Sequence, residues 1–271
     1  MDRRLTPATA RVAHVSLKGR LTSAVWTEGQ RMQVQRPLFD LQQAPNGARE
    51  RQLGYGEGFV VVDRDDGHVF GFAEKDGYCG WLPAAVLGAF AEPTHWVASV
   101  GTHVYPEPRS SSAEIGALPM GARLQVRSRV DKWAETDAGF VPFSHLRVLG
   151  EWWTDPVAVA EGFLGTPYLW GGNSRAGLDC SGLTQIVHQA CGLALPGDAD
   201  LQESAGTAIA DGAALLRGDL IFWNGHVAMV VDGARLIHAN GFAMSVSYEG
   251  IAACIARIGA TEGPVTSRRR L

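Results

Sequence analysis

The 271-residue sequence lacks long hydrophobic runs, and no window approaches the roughly 20 apolar residues that a transmembrane helix needs. No apolar segment of signal-peptide length follows the basic residues near the N-terminus, so we expect a cytoplasmic protein with no membrane partner. An excess of positive charge is also missing, because the formal net charge is -4. We therefore expect no nucleic-acid partner.

Cysteine is scarce as well. The four cysteines are scattered, with no CxxC pair and no zinc spacing, at Cys79, Cys180, Cys191 and Cys254. This pattern gives no reason to expect a metal site, and in a reducing compartment all four are expected to be thiols. Glycine, by contrast, is abundant at 33 residues, which fits a turn-rich chain with many strands.

Two β-rich regions are predicted in the first 150 residues. In residues 1–92, short apolar runs such as Phe59 to Val62 and Val69 to Ala73 alternate with Gly and Asp turns, as in repeated hairpins. In residues 93–150, the period-2 runs Leu124 to Ser128 and Lys132 to Thr136 repeat that theme. Each region ends on a similar short strand, Gly80-Trp81-Leu82-Pro83 and Gly139-Phe140-Val141-Pro142. We predict two small all-β barrels that resemble bacterial SH3-like domains.

The pattern changes at residue 151. A helix is predicted after Asp155-Pro156 and runs to Leu164, and a second is predicted from Cys180 to Ala190. Strand-like runs follow at Asp219 to Trp223, His226 to Val231, Arg235 to Ala239 and Met244 to Tyr248. Helices followed by an antiparallel sheet predict an α+β domain over residues 151–260. The remaining residues, 261–271, are expected to form a flexible, solvated tail.

Cys180 is the candidate nucleophile. It follows Asp179, a residue suited to capping, at the predicted start of a helix. Backbone N–H groups and the positive end of the helix dipole favour a thiolate at that position. The nearby Asp179 opposes this effect, so an imidazole partner is needed as well.

Two histidines provide that partner. His226 begins one predicted strand, and His238 lies on the next strand of a hairpin that turns at Asp232-Gly233. We expect His226 to act as general base and His238 to hold its other ring nitrogen. The hydroxyl of Tyr168, with the backbone N–H of Cys180, is a candidate donor to an oxyanion.

With these residues in place, the domain resembles the NlpC/P60 family of cell-wall peptidases. The matching motifs are P-Y-x-W-G-G from Pro167, D-C-S-G-L from Asp179, G-H-V-A from Gly225 and the later Ile237-His238. The resemblance implies a papain-like core, a Cys180, His226 and His238 triad, and cleavage beside D-γ-glutamyl residues of bacterial wall peptides. It implies no metal or organic cofactor.

The two barrels ahead of this domain narrow the resemblance to γ-D-glutamyl-L-diamino acid endopeptidases of peptide recycling. There the first barrel borders the active site, and the free amine of an N-terminal L-Ala is bound by acidic and aromatic residues. The positions that match by motif are Glu57, Tyr78, Trp170, Asp179 and Ser181. One departure is Gly197, which stands where many relatives carry an Arg. The group that binds the D-glutamyl carboxylate is thus left open.

We therefore expect a cysteine peptidase that hydrolyses the γ-D-glutamyl-diamino acid bond of murein peptides with a free L-Ala. One alternative is an amidase or acyltransferase on the same core, since a thioester also serves transfer. Another is a non-catalytic peptidoglycan-binding protein, which would have no use for a reactive thiolate. The sequence does not indicate the preferred diamino acid or the oligomeric state.

Overall fold

The computed structural model describes residues 1–271. The chain forms two compact units, residues 1–149 and 150–271. None of its helices has the length and apolar character needed to cross a membrane.

Residues 1–92 of the first unit are built around a seven-stranded sheet. Nine strands lie here: β1 (Ala13–His14), β2 (Trp26–Thr27), β3 (Gln30–Val34), β4 (Leu38–Gln42), β5 (Arg49–Gly54), β6 (Gly58–Asp65), β7 (His68–Ala73), β8 (Cys79–Pro83) and β9 (Leu87–Ala89). All except β1 and β2 join the sheet, in the order β5-β4-β8-β7-β6-β3-β9. Its neighbouring strands are antiparallel, and β6 and β7 form the predicted hairpin. Inward residues such as Phe59 and Leu82 are fully buried in its core.

Residues 93–149 form smaller sheets. Their strands are β10 (His95–Val97), β11 (Gly101–Val104), β12 (Gly116–Pro119), β13 (Arg123–Leu124), β14 (Val126–Val130), β15 (Trp133–Thr136), β16 (Phe140–Pro142) and β17 (Leu146–Val148). They pair as β13-β10-β17, β11-β12 and β14-β15-β16. The predicted run over Leu124 to Ser128 is interrupted between β13 and β14 and is therefore two strands.

The similar sequences that end the two regions also fold alike. After β8 comes a 3-10 turn at Ala84–Val86 and then β9, and after β16 comes a 3-10 turn at Phe143–His145 and then β17. The two regions are nevertheless parts of one compact unit. Tyr55, from the first region, packs in the core of the second, and its hydroxyl donates to Asp137 at 3.0 Å.

The second unit begins with helices and continues with strands, as the sequence predicts. Its elements are α1 (Pro156–Glu161), β18 (Asn173–Ser174), β19 (Gly177–Leu178), α2 (Cys180–Ala190), α3 (Ala199–Gln202), β20 (Thr207–Ala208), β21 (Leu220–Trp223), β22 (His226–Val230), β23 (Arg235–Asn240), β24 (Ser245–Gly250), α4 (Ile251–Thr261) and β25 (Ser267–Arg270). The first helix is shorter than predicted: residues 162–165 form turns, although Gly165 does adopt the left-handed backbone expected of a stop.

The six-stranded sheet of this unit runs in the order β20-β25-β21-β22-β23-β24. Side chains of alternate residues on β22 and β23, including Val230 and Leu236, pack on Cys254 and Ile258 of α4. His226 and His238 share the parity of those residues, so both project toward the face covered by α4.

The prediction of a flexible tail is wrong for residues 267–270, which form β25. This strand pairs with β21 and β20 in the sheet. Two of its three arginines have carboxylate partners: Arg270 makes two 2.7 Å contacts with the buried Asp219, and Arg268 pairs with Asp211. With two of its three charges neutralised, the basic run is compatible with an ordered strand rather than a solvated tail.

Candidate functional site

Cys180 is the first residue of α2, as the sequence predicts. The Asp179 side chain caps the helix, its Oδ1 accepting from the backbone N–H of Gly182 at 2.6 Å and from the Ser181 hydroxyl at 3.1 Å. The other oxygen, Oδ2, accepts from the backbone N–H of Gly171 at 2.8 Å. The carboxylate thereby ties the Trp170-Gly171-Gly172 turn to the start of the helix.

The helix that carries Cys180 is buried along almost its whole length. Its polar residues are satisfied inside the protein: Gln185 donates to the carbonyl of Leu195 at 3.0 Å, and Thr184 to that of Cys180 at 3.0 Å. From the neighbouring α3, Gln202 donates to the carbonyl of Ser181 at 3.0 Å. These bonds fix the cysteine at the N-terminal end of a helix whose dipole favours a thiolate.

The strand that carries His226 begins close to the thiol of Cys180. Sγ of Cys180 lies 3.9 Å from the carbonyl oxygen of Gly225, the residue directly before His226. A left-handed turn at Gly225, with φ of 76°, precedes β22. Glycine adopts this backbone without strain, so the chain can reverse between β21 and the histidine.

His226 and His238 are hydrogen-bonded to each other. Nε2 of His226 lies 2.9 Å from Nδ1 of His238, and the rings meet edge-on with centroids 5.1 Å apart. The contact agrees with the predicted hairpin, because β22 and β23 pair with Val230 opposite Leu236. It leaves Nδ1 as the ring nitrogen of His226 that faces away from His238.

Both imidazoles are held in the neutral form. Burial is the main cause that lowers the pKa of His226, and His238 and Arg257 lower it further. Burial also lowers the pKa of His238, against the opposing effect of the Glu249 carboxylate. A neutral His226 is the form that can accept a proton.

Two charged residues next to His238 were not predicted. Oε2 of Glu249 lies 3.1 Å from Nε2 of His238, and Arg257 grips both Glu249 oxygens at 2.9 and 2.7 Å. The guanidinium lowers the pKa of Glu249, so the carboxylate is ionised. Glu249 reaches this position because the register of the β23–β24 hairpin pairs it with Leu236, and no sequence signal reveals that register.

Three potential metal ligands lie close together around His238. His238, Glu249 and Cys254 offer ligand atoms within 4.8 Å of one another. However, Nη2 of Arg257 lies 3.9 Å from the Cys254 sulfur and contacts Glu249 as well. Burial raises the pKa of the Cys254 thiol to about 12, which disfavours the thiolate that a metal requires. Arg257, rather than a metal ion, therefore supplies the positive charge beside these three side chains.

The predicted aromatic residues of this unit differ in burial. Tyr168 is partly buried, and its backbone N–H donates to the carbonyl of Met244 at 2.9 Å. Burial and the proximity of Cys180, Asp179 and Glu262 raise the pKa of Tyr168, so its hydroxyl keeps its proton. Trp170 is 70% exposed and thus presents most of its indole at the surface.

The other two predicted substrate-binding residues belong to the first unit. Glu57 is paired with Lys75 at 2.9 Å, which already compensates its charge. Tyr78 is 3% exposed and is part of the core cluster around Phe59 and Leu82, an environment typical of a residue that packs in the barrel core. Their substrate-binding roles remain predictions.

A cavity of about 430 Å³ opens beside His226. It is lined by His226, Asn240, Gly241, Phe242, Arg257, Ile258, Thr261 and Glu262. Arg257 stacks on the ring of Phe242, with 4.7 Å between the guanidinium carbon and the ring centroid. The cavity thus combines an aromatic wall with one guanidinium and one carboxylate.

Comparison with known proteins identifies two matching families. Residues 165–254 match the NlpC/P60 family, and residues 41–87 match the bacterial dipeptidyl-peptidase SH3 domain. A crystal structure of an NlpC/P60 family protein from Bacillus cereus superposes with a TM-score of 0.76 and 21% identity, covering 89% of this chain and 99% of that one. At this identity the likeness shows the fold alone.

Curated relatives carry peptidase names. The gamma-D-glutamyl-L-lysine dipeptidyl-peptidase of Bacillus cereus is 28% identical over 191 residues, covering 61% of this chain and 57% of that protein. The protein of the same name from Bacillus subtilis is 35% identical over 107 residues, covering 36% of this chain and 35% of that protein. The chain therefore spans little more than half the length of one relative and about a third of the other.

Proposed function

Because the chain combines an NlpC/P60 domain with a bacterial dipeptidyl-peptidase SH3 domain, we propose that it is a cysteine peptidase of murein peptides. The bond cleaved joins γ-D-Glu to a diamino acid in peptides with a free N-terminal L-Ala. The observation that carries this proposal is Cys180 at the start of a buried helix, 3.9 Å from the carbonyl of the residue before His226, with His226 hydrogen-bonded to His238. The names of the Bacillus relatives, which refer to the γ-D-glutamyl-L-lysine bond, support the substrate class.

In the first step, Nδ1 of His226 takes the proton of the Cys180 thiol, and the sulfur attacks the γ-carbonyl carbon. The C=O electron pair moves to oxygen, where the Tyr168 hydroxyl and the backbone N–H of Cys180 stabilise the oxyanion. His226 then gives its proton to the leaving amine as the C–N bond breaks, which leaves a thioester. A water deprotonated by His226 attacks that thioester and releases the acid and the thiol.

The leaving diamino acid fits the cavity beside His226. A diamino acid carries a side-chain ammonium and, depending on its kind, one or two carboxylates. Glu262 and Arg257 line the cavity with one charge of each sign. We assign the substrate ammonium to Glu262, because Arg257 is already engaged by Glu249 and would repel a cation.

On the other side of the scissile bond, Asp179 and Ser181 are assigned to the free amine of L-Ala. Oδ1 of Asp179 accepts from the Gly182 N–H and the Ser181 hydroxyl, and Oδ2 accepts from the Gly171 N–H. An ammonium bound in a closed cleft requires a carboxylate partner, and Asp179 is the carboxylate next to the nucleophile in the sequence. We further propose a papain-like arrangement of this unit, two SH3-like barrels in residues 1–150, and a cytoplasmic role in murein peptide recycling.

Mass spectrometry of defined peptides tests the activity. The purified protein and its Cys180→Ala variant would each be incubated with L-Ala-γ-D-Glu-L-Lys and L-Ala-γ-D-Glu-diaminopimelate. Release of L-Ala-γ-D-Glu by the wild type alone is the expected result. Equal release by Cys180→Ala, or no release from any peptide, would refute the peptidase. Products ligated to an added amine would indicate an acyltransferase instead.

Two further comparisons test the substrate contacts. An N-acetylated peptide should be cleaved at least about tenfold more slowly if its amine is bound by a carboxylate. Glu262→Gln should raise KM for the lysine peptide several-fold and leave the thiol chemistry intact, whereas Glu161→Gln, on α1, should change neither. An unaltered KM in Glu262→Gln would remove that residue from the site.

A further inference from the structure

The third member of the candidate triad is the imidazole of His238, and the reaction depends on which of its two ring nitrogens carries the proton. A neutral imidazole carries one proton on either Nδ1 or Nε2, so it can donate or accept through the nitrogen that faces its neighbour. If Nδ1 of His238 held the proton, it would donate to Nε2 of His226. The proton of His226 would then lie on Nδ1, and that nitrogen could not take one from Cys180.

The surroundings of His238 favour one of the two forms. Its side chain is fully buried, and Oε2 of Glu249 lies 3.1 Å from Nε2. An ionised carboxylate only accepts hydrogen bonds, so a proton on Nε2 is stabilised there and a lone pair is repelled. The angle of this contact falls short of a well-aligned hydrogen bond, so here the attraction is mainly that between an N–H dipole and a charge.

Other groups near His238 keep Glu249 in the accepting form. The Arg257 side chain, on α4, donates to both Glu249 oxygens from Nε and Nη2. Cys254, also on α4, is a protonated thiol because burial raises its pKa. His226 on β22 is the remaining titratable neighbour, and it contacts the opposite ring nitrogen of His238.

We propose that Glu249 is a positioning residue that holds the proton of His238 on Nε2. Nδ1 of His238 then accepts from the Nε2–H of His226, and Nδ1 of His226 is left unprotonated toward Cys180. Arg257 supports this order by clamping the carboxylate. The inference rests on the proposed use of His226 as a base, but the proton positions can be measured without any substrate.

Nitrogen-15 NMR of the imidazole rings tests the proposal directly. In the wild type at pH 7, Nε2 of His238 and Nε2 of His226 should show protonated shifts, and both Nδ1 atoms should show unprotonated ones. A proton on Nδ1 of His238 in the wild type would overturn the proposal, and this measurement needs no variant to fold. Glu249→Gln should shift the proton toward Nδ1, because the amide can donate to Nε2.

Glu161→Gln is the matched control, since Glu161 accepts at 2.9 Å from Tyr248, the residue beside Glu249 on β24. The His238 ring shifts should be unaltered in this variant. Glu249→Asp, which keeps the charge, should retain the wild-type pattern at least in part. Identical shifts in Glu249→Gln and the wild type would show that Glu249 does not select the proton position.

Kinetics in two backgrounds separate positioning from structure. Glu249→Ala should lower kcat about 10- to 100-fold with KM changed less than about threefold, by analogy with residues that orient metal-binding histidines. In a His238→Asn background, the amide oxygen accepts from His226 with no tautomer to choose. The same Glu249→Ala change should then cost less than about threefold. An equal loss in both backgrounds would assign Glu249 another role. If no peptide is cleaved at all, the proposed function fails while the NMR result still stands.

Discussion

Helices α1 and α2 are both capped by an aspartate at the N-terminus, but the two caps differ in burial and in the donors that they bind. Each has an aspartate cap, Asp155 or Asp179, that accepts from backbone N–H groups of the first turn. The Asp155 side chain is 40% exposed and pairs with Arg217, whereas Asp179 is 6% exposed and holds three donors inside the protein. The comparison shows that an exposed aspartate cap stabilises mainly its own helix, whereas a buried one also holds the neighbouring loop of the candidate site in place.

The largest effect is expected at Cys180, at the N-terminus of α2, and Cys191 at the C-terminus of the same helix serves as the comparison. Cys180→Ala should lower kcat/KM by roughly 10⁴- to 10⁶-fold, the scale of losing a catalytic nucleophile. Cys191→Ala, at the helix C-terminus, should change it less than about twofold. The pKa of Cys191 is raised to about 11, mainly by burial, so iodoacetamide at pH 7 should label Cys180 first. Labelling of Cys191 ahead of Cys180 would contradict the helix-end argument.

The two caps themselves provide the next test. Asp155→Ala should lower the free energy of unfolding by about 1 kcal/mol, the usual cost of losing an exposed cap. Asp179→Ala should cost about 2–4 kcal/mol, because it also leaves buried donors without an acceptor. Urea denaturation followed by tryptophan fluorescence measures both. Equal losses would mean that burial does not separate the two caps.

Acid should destabilise the protein through the sheet beside α2. The pKa values of His226 and His238 are lowered from 6.5 to about 3 and about 4. Below pH 6.5 the unfolded chain therefore binds protons that the folded chain does not, so the free energy of unfolding falls as pH drops toward 4. The decrease in Tm between pH 6.5 and 5 should be smaller in His238→Asn, which has one fewer such group. A decrease as steep as that of the wild type would contradict this account.

The smallest effect is expected at the surface pair of α1. Arg217 is 42% exposed and lies 2.9 Å from Asp155. Exposed ion pairs of this kind contribute about 0.2–1 kcal/mol, so Arg217→Met should lower the free energy of unfolding by no more than that. The loss should shrink further in 0.5 M NaCl, since salt screens the pair. A salt-independent loss would point to the 3.2 Å bond from Arg217 to the Val231 carbonyl instead.

The sequence was most informative where a short motif carries its own geometry. The cap at Asp179, the helix from Cys180 and the hairpin that joins His226 to His238 all follow from neighbouring residues, and the structure contains them. Glu249 and Arg257 could not be found in that way. They meet His238 through strand register and helix packing, and no local pattern encodes either.

The tail was mispredicted for a related reason. Three consecutive arginines look like a solvated end as long as their partners are unknown. Asp219 and Asp211 lie far away along the chain, about 50 residues before the arginines that they neutralise. Charge runs become strands when the fold supplies counter-charges, and sequence spacing does not reveal that.

The place of β25 in the sheet has a consequence for biosynthesis. It lies between β20 and β21, and β21 in turn pairs with the strand that begins at His226. A nascent chain that has not reached residue 270 leaves the buried Leu220–Trp223 strand with an open edge, which invites pairing with other chains. The sheet beneath the histidines can therefore close only after translation has passed this point. A ribosome stalled shortly before it would hold an unfinished and aggregation-prone half-sheet.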